Sequence, residues 1–240
     1  MRARRFGQIG PALLLVAILT PGSAAAYDPY DPRNCIGFDW DDKRALVVQK
    51  VTAKPRVNFI KSPYDDDFKA ETCPAATEAC RKTSYLVTGD MVLTGRTLGA
   101  FTCISYQVKA QRWARGWLPS TALTAVAPMA SPKISDWLGT WSHPGGGVTI
   151  TRGAGGKLHI EGVMLLPVGR DTHNGVIEAE ATPRNDTIAF VNDGSVPFEN
   201  TDEQGCRVRM QRIGPGLLIE DNGDCGGSGV TFSGLYRRKK

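Results

Sequence analysis

The stretch DNGDCGGSGVTFSGLY, residues 221–236, gathers two carboxylates, a cysteine, serines and several glycines, the side chains of nucleophilic and metal chemistry. A serine nucleophile on a strand-to-helix elbow needs glycine two places further on, because the sharp turn leaves no room for a side chain. Two places after Ser228 stands Val230. A calcium loop of the EF-hand kind alternates its acidic ligands and ends on a glutamate. Asp221 and Asp224 have neither that spacing nor that glutamate. A phosphate-cradling loop needs a lysine and a following helix, whereas VTFSGLY is rich in strand formers. What remains is Asn222-Gly223, a pair that tolerates positive φ and turns a hairpin. The segment reads as a turn, with Cys225 placed to bridge Cys206 across the hairpin.

The other reactive residues follow the same pattern. His143, His159 and His173 lack the short spacing of zinc ligands. A Ser-His-Asp site would have to be assembled by tertiary structure, since such triads follow no fixed chain order. Asp65-Asp66-Asp67 reads as a solvated loop, because three adjacent carboxylates seldom all reach one ion. Cys73 and Cys80 are not the C-x-x-C of a redox pair beside a βαβ unit. The expectation is no catalytic residue, no metal and no cofactor. Trp117 and Trp141 sit where small barrels need bulky plugs. Trp113, in QRWARG between a strand and a turn, is the candidate ligand contact.

The chain opens with Arg2, Arg4 and Arg5, a short apolar run from Ala12 to Leu19, a Pro21-Gly22 break and Ala24-Ala25-Ala26. This is the pattern of a secretory signal peptide over residues 1–26. Its apolar run is shorter than the ~18–20 residues a membrane-spanning helix requires. No transmembrane anchor is therefore expected after cleavage, and the compartment is expected to be the periplasm or the exterior. Cleavage lowers the formal charge of +5 by three. What is left is nearly balanced in both halves, which argues against a nucleic-acid partner. The basic run Arg237-Arg238-Lys239-Lys240 reads as a solvated tail.

Six cysteines in an exported chain form an even set and are expected to pair. Cys35, Cys73, Cys80 and Cys103 lie in the first half, Cys206 and Cys225 in the second. The first four allow three connectivities. The reading preferred is Cys73–Cys80, as a local pair, with Cys35–Cys103 tying an N-terminal segment (27–44) to the first domain.

Both halves show short alternating runs punctuated by glycine, the signature of an all-β chain. Residues 45–126 are expected to form one β-domain, 127–133 a linker within APMASPKISD, and 134–238 a small antiparallel barrel or sandwich of eight strands. Residues 62–84 read as a long surface loop. In the first domain the order YLVTGDMVLTG, FTCISYQ, GWLPSTAL resembles a bacterial SH3-like barrel. The matching positions are Gly89, Asp90, Val92, Gly116, Trp117, Leu118 and Leu123. The resemblance implies that Gly116 bends the backbone into the last strand and that Trp117 plugs the barrel. Members of that family often bind cell-wall peptides or act as spacers beside wall enzymes. In the second domain, the opening WLGTW resembles lipocalin-like barrels. The closing DNGDCGGSGVTFSGLYRR resembles uncharacterised β-domains of Gram-negative envelope proteins, some found next to modules likened to lysozyme inhibitors. The function expected is a non-catalytic envelope module that binds peptidoglycan or an envelope protein. The alternatives are an inhibitor of a lytic enzyme such as lysozyme, and a hydrolase with a tertiary site.

Overall fold

The computed structural model describes residues 28, 30–36, 46–109, 112–192, 198 and 205–239. The expected signal peptide, and residues 27, 29 and 37–44 of the N-terminal segment, lie outside them. The chain is all-β: a curled seven-stranded sheet is followed by a nearly closed eight-stranded barrel, both antiparallel. Among the described residues no helix is long and apolar enough to cross a membrane.

The first sheet comprises β1 (Val47–Val51), β2 (Arg56–Ile60), β3 (Arg81–Val87), β4 (Met91–Leu98), β5 (Phe101–Lys109), β6 (Arg112–Pro119) and β7 (Leu123–Ala125), in the order β3-β2-β6-β5-β4-β1-β7. Strand alternation sends Val51, Phe59, Leu86, Val92, Ile104 and Leu118 into one apolar interior. The turn into β4 depends on Gly89, at φ +95°, where only glycine adopts the angle without strain. The Asp90 carboxylate then accepts the Val87 amide at 2.9 Å and the Tyr106 hydroxyl at 3.3 Å. Gly116 lies where a Cβ would stand 2.9 Å from Phe59 Cδ1, so here glycine permits close strand packing.

Trp117 departs from the expected plug. It is fully buried on the other face of the sheet, packed with Cys35, Cys73, Cys80 and Cys103. Its indole nitrogen donates to the Arg33 carbonyl at 2.8 Å. Residue parity explains this: Trp117 pairs with Cys103 across the β5–β6 ladder, while the interior belongs to Ile104 and Leu118. The N-terminal segment is thus pinned over the outer face. Ser62 Oγ accepts the Cys35 amide at 3.0 Å, and Arg33 pairs with Asp31 at 2.7 Å. That guanidinium holds the Asp31 carboxyl down at about 2.

Residues 62–84 are shorter in loop than expected, since β3 takes residues from Arg81 onward and Asp65–Phe68 forms a helical turn, α1. Asp65 binds the Ser62 amide at 2.7 Å and Lys82 at 2.9 Å, and Asp66 pairs with Lys61 at 2.6 Å. Two carboxylates of the Asp65-Asp66-Asp67 run are therefore committed to lysines.

After a second helical turn, α2 (Ile134–Trp137), the barrel comprises β8 (Gly139–His143), β9 (Gly146–Arg152), β10 (Leu158–Val168), β11 (Asp171–Ala181), β12 (Thr187–Val191), β13 (Arg207–Ile213), β14 (Gly216–Asp221) and β15 (Gly234–Arg238). Their order is β11-β10-β9-β8-β15-β14-β13-β12. Its interior is filled by a contiguous cluster including Trp137, Trp141, Ile150, Ile160, Met210, Ile219, Phe232 and Tyr236. At the seam between β11 and β12, the Asn192 side chain accepts the Glu178 amide at 2.6 Å. The last strand starts later than its sequence pattern suggests. Asp221 accepts the Phe232 amide at 2.9 Å and the Thr231 and Ser233 hydroxyls at 2.6 and 2.7 Å. Residues 231–233 are thereby drawn to a side chain instead of a ladder.

The basic C-terminal run is structural as well as solvated. Arg237 and Arg238 lie in β15, and Arg238 donates to the carbonyls of Ser135 and Leu138 at the end of α2. The Arg238 and Arg212 guanidiniums both lie over the Trp141 ring, at 5.4 and 4.5 Å from its centroid. The linker is fastened too, since Pro128 bridges to Ile213 and the Met129 amide reaches the Arg212 carbonyl at 2.8 Å.

Three disulfides, Cys35–Cys103, Cys73–Cys80 and Cys206–Cys225, use all six cysteines. They indicate an oxidising environment outside the cytoplasm. Cys206–Cys225 closes a 19-residue separation beside the Asn222-Gly223 turn. On chain-entropy grounds this bridge stabilises the fold by about 3 kcal/mol. Urea denaturation of the Cys206→Ser/Cys225→Ser variant should show a loss of that size; a loss below about 1 kcal/mol would contradict it.

Candidate functional site

The β5–β6 hairpin supplies one wall of a cleft between the two sheets. Alternation sends Ile104 and Tyr106 toward the sheet interior and leaves Ser105 and Gln107 on the outer face, with Trp113 directly across from Gln107. The barrel supplies the opposing wall through β8 and β15, where Ser142 pairs with Arg237. Below the cleft the two sheets are joined by a buried apolar seam. Val48 and Leu93 meet Ile213 and Leu218, and Met91, Trp113, Val126 and Leu235 pack around them. The Leu46 amide adds a hydrogen bond to Glu220 at 2.7 Å.

Above that seam the walls separate around a cavity of about 330 Å³, at the lower end of the range for small-ligand sites. Leu93, Ser105, Gln107, Trp113, His143 and Arg237 are among its lining residues. A smaller cavity of about 170 Å³ at the barrel mouth shares Gln107, Trp113 and His143 and adds Met164, Thr231 and Ser233.

His143 stands where both cavities meet. It is 8% exposed, stacked on Tyr236 with centroids 4.7 Å apart, and 6.4 Å from the Trp113 ring. Its Nδ1 lies 3.5 Å from the Gln107 amide nitrogen, and Nε2 has no hydrogen-bond partner. Gly234 makes room for it, because a Cβ there would stand 2.5 Å from Nε2. Burial lowers the imidazole pKa to about 4, so at neutral pH the ring is uncharged. Tyr236 beneath it is buried, donates to the Phe232 carbonyl at 2.7 Å, and is pushed well above the usual phenol range.

Ser105 is 1% exposed, yet its hydroxyl has no partner. The Ser105 and His143 side chains are therefore not hydrogen-bonded to each other, and among the described residues no carboxylate orients the imidazole. Nucleophile activation needs both links. What the cleft offers is an aromatic wall, neutral hydrogen-bonding groups and one cation, Arg237. These are binding elements.

Trp113, the candidate contact from sequence, is half-buried in this cleft. The disulfide cysteines hold the scaffold and do not line either cavity. His173 is not among the residues lining either cavity, and its Nδ1 lies 2.8 Å from the Ser228 carbonyl oxygen. Sequence reasoning did not select Ser105, Gln107, His143 or Arg237. The alternation of β5 carried a signal that Ser105 and Gln107 share the face of Cys103, but nothing along the chain says what covers that face.

Among the described residues, His159, Glu161 and Glu178 could hold a metal ion, their donor atoms lying within 4.8 Å of one another. They sit on the outer surface of β10 and β11. Both imidazole nitrogens already face carboxylates, Glu180 and Glu161, each at 3.1 Å. These carboxylates, Glu161 foremost, raise the His159 pKa, so the grouping favours the protonated form of the ring.

No protein-family model matches the chain, and neither a curated protein nor a solved structure matches it. The cleft geometry therefore stands on its own residues.

Because folding favours neutral His143, the unfolded chain binds more protons between pH 6.5 and about 4. Stability contributed by burying the neutral ring is present above pH 6.5 and is lost on acidification, by up to roughly 3 kcal/mol. His159 works in the opposite sense, so the comparison must be with a variant. Unfolding free energy measured against pH should fall less steeply below pH 6.5 for His143→Gln than for the parent; parallel profiles would refute the assignment.

Proposed function

We propose that this chain is an exported, non-catalytic binding module of the cell envelope, periplasmic or secreted, and that peptidoglycan is its ligand. The observation that carries the reading is the buried, unpartnered Ser105 hydroxyl in a cleft walled by Trp113. Buried polar groups are ordinarily paired, so a hydroxyl left without a partner beside an aromatic wall is suited to a ligand that brings one. A wall polymer offers both complements: sugar and aliphatic faces for the indole, and amides and hydroxyls for hydrogen bonding.

Three further points support it. The disulfides fit an oxidising compartment. The resemblance of the GD-x-V and GWL-x4-L runs to SH3-like modules is to a family whose members often bind wall peptides. The barrel interior is packed with side chains, which favours a cleft site over a ligand carried inside the barrel.

The mature protein should sediment with purified wall material at low salt. Trp113→Ala should reduce the sedimented fraction severalfold, with Trp113→Phe, which retains packing at the seam, falling between. Failure of the native protein to sediment would reject the reading.

A further inference from the structure

We propose that the cleft recognises a carboxylate on its ligand, with Arg237 as the charge partner and Ser105 and Gln107 as neutral hydrogen-bonding groups around it. This rests on the cleft being the binding site argued above, and adds the chemical class of what enters it. The described residues lining the two cavities include no aspartate or glutamate, and Arg237 is the charged side chain among them. A wall so composed carries positive potential into a partly desolvated space and favours an anionic group.

Arg237 differs from its neighbours in having nothing to do within the fold. Arg238 is spent on the carbonyls of Ser135 and Leu138, Arg212 on those of Gly214 and Gly216, and Arg209 on Glu220. Among the described residues, the Arg237 guanidinium makes no hydrogen bond or ion pair. Its place in β15, directly across from Ser142, fixes its backbone at the cleft wall. A guanidinium fork matches a carboxylate with two parallel hydrogen bonds, which gives orientation as well as attraction.

Ser105 supplies the second, independent observation. Its side chain is almost wholly buried, lines the larger cavity and has no partner. Within the protein it satisfies nothing. Toward a ligand it is a hydroxyl able to donate to a carboxylate oxygen or accept from an adjoining amide. Gln107 adds an amide group on the same face of β5, two residues on. The cavity volume of about 330 Å³ accommodates a peptide end of a few residues or a sugar bearing an acidic substituent. Carboxylates of that kind occur throughout wall peptides.

The test uses soluble fragments released from purified peptidoglycan by muramidase, and the same fragments with their carboxyl groups converted to amides. Calorimetric titration of the mature protein should show native fragments binding at least tenfold more tightly than amidated ones. Arg237→Gln should lose at least tenfold toward native fragments and cease to discriminate between the two preparations. Arg237→Lys, which keeps the charge without the fork, should recover part of the affinity. An unchanged melting temperature in both variants would tie these losses to recognition. Equal binding of native and amidated fragments, or an Arg237→Gln variant that still prefers the native ones, overturns the carboxylate assignment. It leaves the cleft reading standing if Trp113→Ala still reduces wall sedimentation severalfold. Absence of binding to both fragments and intact wall overturns both.

Discussion

The apolar seam between the two sheets is the contact on which the candidate site depends. Val48 and Leu93 on one side, and Ile213 and Leu218 on the other, are each almost wholly buried. Burial of such side chains contributes roughly 2 kcal/mol apiece. Because the two sheets are already joined by chain, little translational freedom remains to oppose the contact. Polar contacts fix its orientation: Glu220 accepts the Leu46 amide, and the linker is held to β13 through Pro128 and Met129. Without this seam Ser105, Gln107 and Trp113 would lie on an open sheet face, and His143 would sit at an uncovered barrel mouth.

The outer face of β5 shows how one strand serves three purposes by position alone. Cys103 forms the disulfide to Cys35 beneath the N-terminal segment. Two residues on, Ser105 is buried against the second sheet with its hydroxyl free, and two further on Gln107 approaches His143. All three share a face because side chains alternate along a strand. The β6 partners follow the same register, from Trp117 under the N-terminal cover to Trp113 in the cleft. A sheet that would otherwise expose its outer side is covered at one end by its own disulfide-tied segment and at the other by the barrel.

The barrel answers the same demand for satisfaction differently. Its interior is filled, and several of its polar groups are paired around β14 and β15. Asp221 gathers two hydroxyls and a backbone amide, and Arg238 ties β15 to the end of α2. Tyr236 then carries the His143 ring at the mouth, in surroundings dry enough to keep it neutral. The DNGDCGGSG segment belongs to this scaffold: Asn222 and Asp224 bond locally beside the Cys206–Cys225 bridge.

Sequence alone determined the elements, because period-two alternation and glycine-rich turns are local properties that any fold must respect. The eight runs read in the second half correspond to β8 to β15, with ends shifted where a long-range side chain intervened, as Asp221 does at residues 231–233. The Asn222-Gly223 turn beside Cys225 was legible for the same reason. Tertiary structure decided everything that depends on which face meets which. It moved Trp117 from the expected interior to the outer cover, turned Arg237 and Arg238 from tail to strand, and brought Ser105, Gln107, Trp113, His143 and Arg237 around one cavity. Those five are separated by up to 132 positions along the chain. No local spacing encodes a meeting of that kind, since it arises from the packing of two independently curled sheets.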